Sequence, residues 1–191
     1  MRVLLIAFIL LTPGFCYCLP SDTLGKYDIS IWTGYHYSLG YLGMKFEYAA
    51  PFWERRFHIG AGVGISKVQP RCMISTRIDL NRSSPFRFGI GCDLVTAIKT
   101  NILLADNGET VVVGSHSYWN PYLEISLLIS RLPFYLKIET GYSFLLNPVN
   151  ISPSNISPDQ YNSIRRVIDS DYMIGIGLVG NIEQFHFKKG L

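Results

Sequence analysis

The sequence predicts an all-β fold: a closed, antiparallel, up-and-down barrel of eight strands that cross a membrane. Apolar residues alternate with small or polar residues at a period of two through most of the chain. Charged residues make up only 16% of the chain and aromatic residues 14%, whereas ordinary soluble domains carry about 25% charged residues. The chain also begins with a short apolar segment of the kind that directs export.

Residues 1–18 have the layout of a cleaved secretory signal peptide. An unbroken apolar run follows Arg2 and is too short to span a bilayer, and Cys16 and Cys18 occupy the small-residue positions before a cut after residue 18. A lipoprotein anchor on Cys16 or Cys18 is the alternative, although no lipobox precedes them. The mature chain, 19–191, is then one domain, and its weak net charge gives no reason to expect nucleic-acid binding.

Eight segments alternate in this way, each long enough for the roughly 9–11 residues that a tilted membrane-spanning strand needs. An even number of strands returns both ends of the barrel to one side. In chain order the predicted strands are 26–38, 41–49, 56–66, 71–80, 85–98, 122–130, 134–144 and 171–180. Their apolar faces carry, strand by strand, Ile29 and Ile31, Leu42 and Met44, Ile59 and Val63, Ile74 and Ile78, Phe88 and Ile90, Leu123 and Ile125, Leu136 and Ile138, and Ile174 and Ile176.

The lengths of the connections support this strand count. With a periplasmic N-terminus, the periplasmic turns are short, and the two long loops, near 99–117 and 147–170, both fall on the outer side. In the first loop, "DNGE" between "ILLA" and "TVVV" predicts a hairpin that extends the wall. The second loop is rich in Asn, Ser and Pro and is predicted to be irregular, and neither loop shows helical spacing.

Two features place the apolar face outside, against lipid, rather than inside a soluble barrel. Aromatic residues gather at the strand ends, as in the girdles of membrane proteins, and the opposite face carries few Lys and Glu residues. The predicted outer girdle is Trp32, Tyr35, Tyr37, Tyr41, Tyr118, Trp119, Tyr142 and Tyr172. The predicted inner girdle is Tyr48, Trp53, Phe57, Phe86, Phe134 and Tyr135.

The glycine-rich segments have a structural explanation in this fold. The sequence "GIGLVG" near the C-terminus matches the G-x-G-x-x-G of dinucleotide-binding loops, but neither a helix nor an acidic residue about 20 positions later follows it. An eight-stranded barrel is just wide enough for side chains to fill its interior. Glycines on the inward face therefore leave room for long neighbours; they are Gly60, Gly62, Gly64, Gly89, Gly91, Gly175 and Gly177.

Charged residues also fall on the inward faces. Because a narrow lumen holds little water, we expect these charges to pair in a plug of salt bridges that fixes strand register, with an ion path as the alternative. The nine residues are Lys45, Glu47, Arg71, Arg77, Arg87, Asp93, Glu124, Lys137 and Glu139. With tight turns, the predicted facing pairs are Arg71 with Asp93, Arg77 with Arg87, and Glu124 with Lys137.

The same register places Cys72 directly opposite Cys92 on the outward face. A periplasmic oxidant would join them in a disulfide if they form the closer kind of cross-strand pair. Two free thiols that act as small apolar side chains are the alternative, and two cysteines alone do not predict a metal site.

The chain resembles the small eight-stranded outer-membrane β-barrel family of bacteria, the OmpX- and OmpW-like group. The resemblance covers residues from about 26 to 187 and rests on the signal segment, the alternating strands, the girdles, the loop asymmetry and a near-terminal "FHF". Family members usually end on an aromatic residue, whereas "KKGL" follows Phe187 here. Phe185 and Phe187 are also out of phase with Ile176, which requires a bulge near Gly180 or an earlier end of the last strand.

The resemblance implies a location in the bacterial outer membrane, in contact with lipopolysaccharide outside, and delivery by the barrel-assembly machinery. We predict a monomer whose two long outer loops carry a structural or surface-interaction role, such as adhesion or envelope integrity. A porin-like alternative is passive transport of small apolar solutes through the barrel or a lateral opening.

A lipid-A-modifying hydrolase is the third hypothesis, because some outer-membrane barrels that deacylate lipid A place a His and a Ser two residues apart on one strand face. Here Ser115 and Ser117 flank His116 and point to the other face, and Tyr118 stands where the nucleophile belongs. The sequence therefore predicts no catalytic residue, no cofactor and no metal.

Overall fold

The computed structural model describes residues 27–35, 37–51, 55–81, 86–103, 110–128, 134–152, 156–169 and 171–182. The predicted signal segment, Trp53 and the near-terminal "FHF" lie outside the described residues. In chain order the elements are β1 (Tyr27–Tyr35), β2 (Leu42–Ala49), β3 (Phe57–Ile65), β4 (Pro70–Asp79), β5 (Phe86–Ala97), β6 (Thr100–Leu103), β7 (Thr110–Val113), β8 (His116–Leu128), β9 (Phe134–Leu145), β10 (Ile151–Ser152), α1 (Pro158–Ile168) and β11 (Asp171–Asn181).

Eight of these strands form a closed antiparallel barrel in the order β1-β2-β3-β4-β5-β8-β9-β11. Each barrel strand pairs with the next one along the chain, and β1 closes onto β11 in a regular register from Asp28 with Asn181 to Tyr35 with Ile174. The predicted all-β, up-and-down, eight-stranded barrel is therefore confirmed. Because β11 pairs regularly through Asn181 and ends there, the structure favours an early end of the last strand over a bulge.

None of the helical segments among the described residues has both the length and the apolar character needed to span a bilayer.

The barrel wall has an apolar outer face, whereas its inner face carries glycine, polar and charged residues together with buried aromatic and aliphatic side chains. In β1, Ile29 and Ile31 are exposed, while Ser30 and Trp32 are buried in the lumen. The pattern arises because successive side chains of a strand point to opposite faces and because branched and aromatic residues suit a pleated backbone. The predicted orientation, with the apolar face outward, is the one observed.

The second sheet and the helix lie at one end of the barrel, which we call the cap end; the opposite end is the turn end. At the cap end, the chain between β1 and β2 folds into the lumen. Tyr37, Ser38 and Leu39, here called the plug, are completely buried. Gly40, with a φ of 86°, completes the turn and donates its N–H to the Tyr37 carbonyl oxygen at 2.7 Å.

Inward glycines make the space that the lumen side chains fill, as predicted. A Cβ on Gly177 would lie 2.5 Å from the Trp32 ring, and one on Gly91 would lie 2.5 Å from the Tyr122 ring. One on Gly62 would lie 3.2 Å from Leu39 of the plug. The two separations of 2.5 Å are too short for real side-chain contacts, so glycine is required at those two positions, whereas at Gly62 the Leu39 side chain would have to shift slightly.

Three residues of the predicted outer girdle point inward instead. Trp32 and Tyr37 stack in the lumen with ring centroids 5.0 Å apart, and Tyr118 is 2% exposed. Tyr37 was misplaced because β1 ends at Tyr35, so that the alternation does not extend to it. Other members of the predicted outer girdle, Tyr35, Tyr41, Trp119 and Tyr172, are exposed.

The two long connections form a compact unit, here called the cap, which contains the predicted β6–β7 hairpin and, where an irregular second loop was predicted, β10 and α1. The β6–β7 hairpin pairs with β10 in a separate three-stranded sheet and does not extend the barrel wall. The helix α1 was not predicted; it begins with a capping box between Ser157 and Gln160 and buries Ile164 and Ile168. The sixth barrel strand likewise begins at His116, six residues earlier than the predicted 122.

Candidate functional site

The lumen below the plug contains a network of buried ion pairs. Arg77 contacts three carboxylates, those of Glu47, Asp79 and Glu124, at distances that include 3.4 Å to Glu47 and 2.9 Å to Asp79. Lys137 contacts Glu47 at 3.0 Å and Glu124 at 3.4 Å. Each of these side chains is less than 5% exposed. Six of the nine predicted lumen charges therefore meet in one network: Lys45, Glu47, Arg77, Glu124, Lys137 and Glu139.

Lys45 links this network to the middle of the barrel. Its ammonium group lies 3.4 Å from both Glu47 and Glu139 and 3.4 Å from the hydroxyl oxygen of Tyr122. The Lys45 ammonium also lies over the rings of Tyr122 and Trp32. The charge network is thus continuous with the aromatic layer above it.

Two residues that the predicted set did not include also join the network. His58 and Asp79 are buried, with the His58 Nε2 atom 3.0 Å from a carboxylate oxygen of Asp79. Both residues lie on the inward faces of their strands, so the same alternation that identified Arg77 contains the signal for them.

The remaining three predicted charges lie apart from these ion pairs. Asp93 is fully buried and accepts a hydrogen bond from the Ser38 hydroxyl of the plug at 2.6 Å. The Arg87 guanidinium lies over the Tyr135 ring, 5.1 Å from its centroid. Arg71 lies at the cap end, where its guanidinium stacks on Tyr118.

The three predicted facing pairs are wrong in register. Arg71 pairs with Ala97 and Arg77 pairs with Gly91, each four residues further along β5 than predicted. Glu124 pairs with Glu139 instead of Lys137, although the Lys137 ammonium still reaches the Glu124 carboxylate diagonally. The observed registers place the centre of each connection further along the chain than predicted, and an even shift of register keeps every side chain on its face.

The predicted pairing of Cys72 with Cys92 fails for the same reason. Cys72 pairs with Thr96, and Cys92 pairs with Thr76. Both cysteines are free thiols on the outward side of the wall. Because the two cysteines lie in different cross-strand pairs, this register does not bring them together in a disulfide.

The cap is joined to the barrel by buried hydrogen bonds and by a shared apolar core. The Gln69 amide, 2% exposed, donates to the carbonyl oxygens of Ile98, Val113 and Gly114 at 3.0 to 3.2 Å. The Tyr118 hydroxyl donates to the Ile168 carbonyl at the end of α1. One continuous cluster contains Trp32, Tyr37, Leu39, Met73, Val95, Ala97, Tyr118, Val111, Val113, Ile156, Ile164 and Ile168.

His116 contributes to this junction. Its Nδ1 atom lies 3.0 Å from the Gly114 carbonyl oxygen, and its Nε2 atom lies 2.7 Å from the Tyr118 hydroxyl oxygen. Ser115 is exposed and His116 is buried, as the alternation predicts. Both ring nitrogens therefore have structural partners.

A shallow apolar groove lies on the outward side of the wall, beside β8 and β9. Its volume is about 640 Å3, and Pro121, Leu123, Tyr142 and Phe144 are among its lining residues. The β8–β9 register runs to Trp119 with Phe144 and resumes at Tyr122 with Gly141. Pro121 has no N–H to donate, which accounts for this gap in the ladder.

Two titratable groups outside the barrel strands have shifted pKa values. Burial raises the pKa of the Tyr37 phenol well above its ordinary value. A hydrogen bond with Tyr41 raises the pKa of Lys67, an exposed residue between β3 and β4. Both groups therefore keep their protons at neutral pH.

No protein-family model, no curated protein and no solved structure matches the chain. The assignment of an eight-stranded barrel therefore rests on the geometry of the structure, and the resemblance to the OmpX- and OmpW-like family stays a prediction.

Proposed function

We propose that the chain is a bacterial outer-membrane β-barrel that holds a folded cap at the cell surface, where it has a structural or surface-interaction role. Adhesion and envelope integrity are the tasks that fit this role. The observation that carries the proposal is the combination of an apolar outer wall, a filled lumen and a cap packed onto the barrel.

The outer wall supports a location in lipid. Large apolar side chains are exposed on every barrel strand; examples are Val63 at 60%, Ile74 at 62% and Leu123 at 59%. Soluble monomers rarely expose apolar patches larger than a few hundred Å2. Lipid acyl chains would cover this surface, with the chain exported by the signal at 1–18 and inserted by the barrel-assembly machinery.

The filled lumen argues for a supporting role rather than an open pore. Aromatic and aliphatic side chains fill its cap half, and the ion-pair network fills its turn half. A cavity within that network, between Asp79 and Lys137, has a volume of only about 10 Å3, barely the space of one water molecule.

Impermeant labelling of intact cells tests the placement of the cap. In a Cys72→Ala, Cys92→Ala background, a charged maleimide is expected to label Ser163→Cys, on an exposed position of α1, without permeabilising the cells. The matched control is Pro51→Cys, an exposed position at the turn end, which we expect to react only after the outer membrane is opened. Labelling of Pro51→Cys alone in intact cells would contradict the proposal.

The role itself is tested by changing the exposed cap surface while leaving its core intact. Asp159, Asn162 and Ser163 are exposed on α1 and are replaced together by Ala. If the cells with the triple Ala variant lose attachment but resist detergent normally, the role is surface interaction. If the variant has no effect and only cells that lack the whole chain become sensitive to detergent, the role is envelope integrity. If cells without the chain keep both properties, the proposed role is wrong.

The lateral groove favours a second candidate, passive transport of a small apolar solute. The groove lies where the β8–β9 ladder is interrupted, and the buried ring of Tyr122 lies behind it. Tyr122→Ala should then speed the uptake of an apolar dye into vesicles, with Leu123→Ala as the lipid-facing control. Equal uptake with the native chain and with empty vesicles would remove this candidate.

A further inference from the structure

Arg71 is a buried cation with no acidic partner among the described residues. It is 6% exposed, near the start of β4 at the cap end. One of its Nη atoms donates to the Tyr37 carbonyl oxygen at 3.2 Å, and its guanidinium lies 5.0 Å from the centroid of the Tyr118 ring. No described residue accepts a hydrogen bond from its Nε atom. Arg77, in contrast, meets three carboxylates.

This arrangement is energetically incomplete. Burying an ion costs several kcal/mol unless a counter-charge and further hydrogen bonds compensate for its lost hydration. One carbonyl oxygen and one aromatic face compensate for part of that cost. The missing counter-charge can come from a molecule bound beside the guanidinium.

A cavity of about 170 Å3 at the cap end provides the place for such a molecule. Arg71 lines it together with two more cations, Lys67 and Arg166, and with Ser66. Among the described residues that line the cavity, none carries a carboxylate. Gly34, Gly40 and Val167 also line the cavity.

Each exposed cation has an ordinary explanation on its own. Arg166 lies in the last turn of α1, where a positive charge interacts favourably with the helix dipole. The Lys67 ammonium lies 5.3 Å from the centroid of the Tyr41 ring. Arg71 has a comparable contact with the Tyr118 ring, but it is buried whereas Lys67 and Arg166 are exposed. Neither explanation accounts for three cations around one cavity.

We propose that this cavity binds a phosphate group, with the headgroup of a membrane lipid as its source. Guanidinium groups bind phosphate oxygens in a bidentate manner, and ammonium groups add a point charge. Tyr35 and Tyr41, which also line the cavity, are exposed at the end of the apolar wall, the level at which a lipid phosphate lies. The lipid source rests on the proposed membrane location, whereas the phosphate chemistry does not.

The test compares free and lipid-borne phosphate on the folded chain. Urea unfolding is followed in detergent with sodium phosphate or with chloride at equal ionic strength. It is repeated in micelles of the same phosphate-free detergent to which lipid A or dephosphorylated lipid A has been added, so that no other lipid phosphate is present. A ligand at a hundred times its dissociation constant should raise the folding equilibrium constant about a hundredfold.

Variants assign the effect to the cavity. Arg71→Met should abolish the phosphate response and, without phosphate, be at least as stable as the native chain, because it removes an uncompensated charge. Lys67→Gln and Arg166→Gln, both at exposed positions, should weaken phosphate binding by about tenfold or more. The matched control Arg165→Gln lies on the same helix, pairs with Asp169, and should respond like the native chain.

Three results would overturn the inference in distinguishable ways. Equal stability in phosphate and chloride would remove the phosphate site. A response to sodium phosphate without any difference between lipid A and its dephosphorylated form would remove the lipid source. A chain that stays folded and monodisperse without detergent would overturn the proposed membrane location. The comparison of sodium phosphate with chloride would then decide on the phosphate site alone.

Discussion

Arg77 holds the lumen charges together, because three carboxylates converge on its guanidinium. Removal of one ion from such an arrangement costs free energy of folding, because its partners are left as unpaired charges in an interior that excludes water. The residue was identifiable from sequence as an inward charge. Its partners were not, because they depend on register.

Arg77→Met is expected to lower the free energy of unfolding by about 3–5 kcal/mol, because Glu47, Asp79 and Glu124 lose a shared partner. Urea unfolding in phospholipid vesicles, followed by tryptophan fluorescence, measures the change. The control Arg87→Met removes a half-buried guanidinium that stacks on Tyr135, which is worth about 0.5–1 kcal/mol. Equal effects of the two variants would show that the network does not stabilise the barrel.

Gly177→Ala tests the second residue-scale feature, the space that glycine leaves for Trp32. A Cβ there would lie 2.5 Å from the indole ring, so we expect a loss of about 1–3 kcal/mol from overpacking. Gly89→Ala is the matched control, because the nearest atom to its Cβ would be 3.3 Å away. The same unfolding measurement compares them, and a Gly177→Ala barrel as stable as Gly89→Ala would contradict the packing argument.

At the scale of elements, the sequence predicts which face of a strand each side chain lies on better than it predicts which residues pair across strands. The period of two identified the eight barrel strands and their outward sides, since each face follows from local spacing. The observed β4–β5 register differs from the predicted one by an even number of residues, and the alternation of apolar residues cannot distinguish registers that differ in this way. The plug was missed because its burial depends on glycines of several other strands, including Gly62 and Gly175.

The cap helix shows a signal that was present but unused. Ser157 and Gln160 form the capping box, and Ile164 and Ile168 lie four positions apart on its buried side. Only two buried residues mark this short helix, so the Asn- and Pro-rich sequence before it dominated the interpretation. Its packing against β7 and β8 residues is a tertiary effect that no local pattern contains.

Gln69→Ala should loosen the cap without unfolding the barrel, because one amide group serves three carbonyl acceptors from Ile98 to Gly114. Buried carbonyls left without a donor cost about 1–3 kcal/mol. Hydrogen exchange should become faster in β6 and β7 and stay slow in β1 to β4. Asn101→Ala, an exposed position on β6, is the control, and equal protection in the two variants would show that Gln69 does not anchor the cap.

At the scale of the whole molecule, the apolar wall and the filled lumen make a joint prediction. The purified chain should need detergent or lipid to stay monodisperse, should change its gel mobility on boiling, and should give no steady conductance in planar bilayers. These outcomes follow because the wall excludes water outside and side chains exclude it inside. Sustained conductance would restore the ion-path alternative for the lumen charges, and an unchanged gel band would count against a stable membrane barrel.

The two tryptophans of the barrel strands point in opposite directions. Trp32 is fully enclosed and donates its indole N–H to Ser30, whereas Trp119 is 45% exposed on the outer wall. In a Trp53→Phe chain, brominated acyl chains would therefore quench the emission of Trp119 and spare that of Trp32. One fluorescence experiment could then time the arrival of the chain in lipid and the closure of the cylinder as separate events.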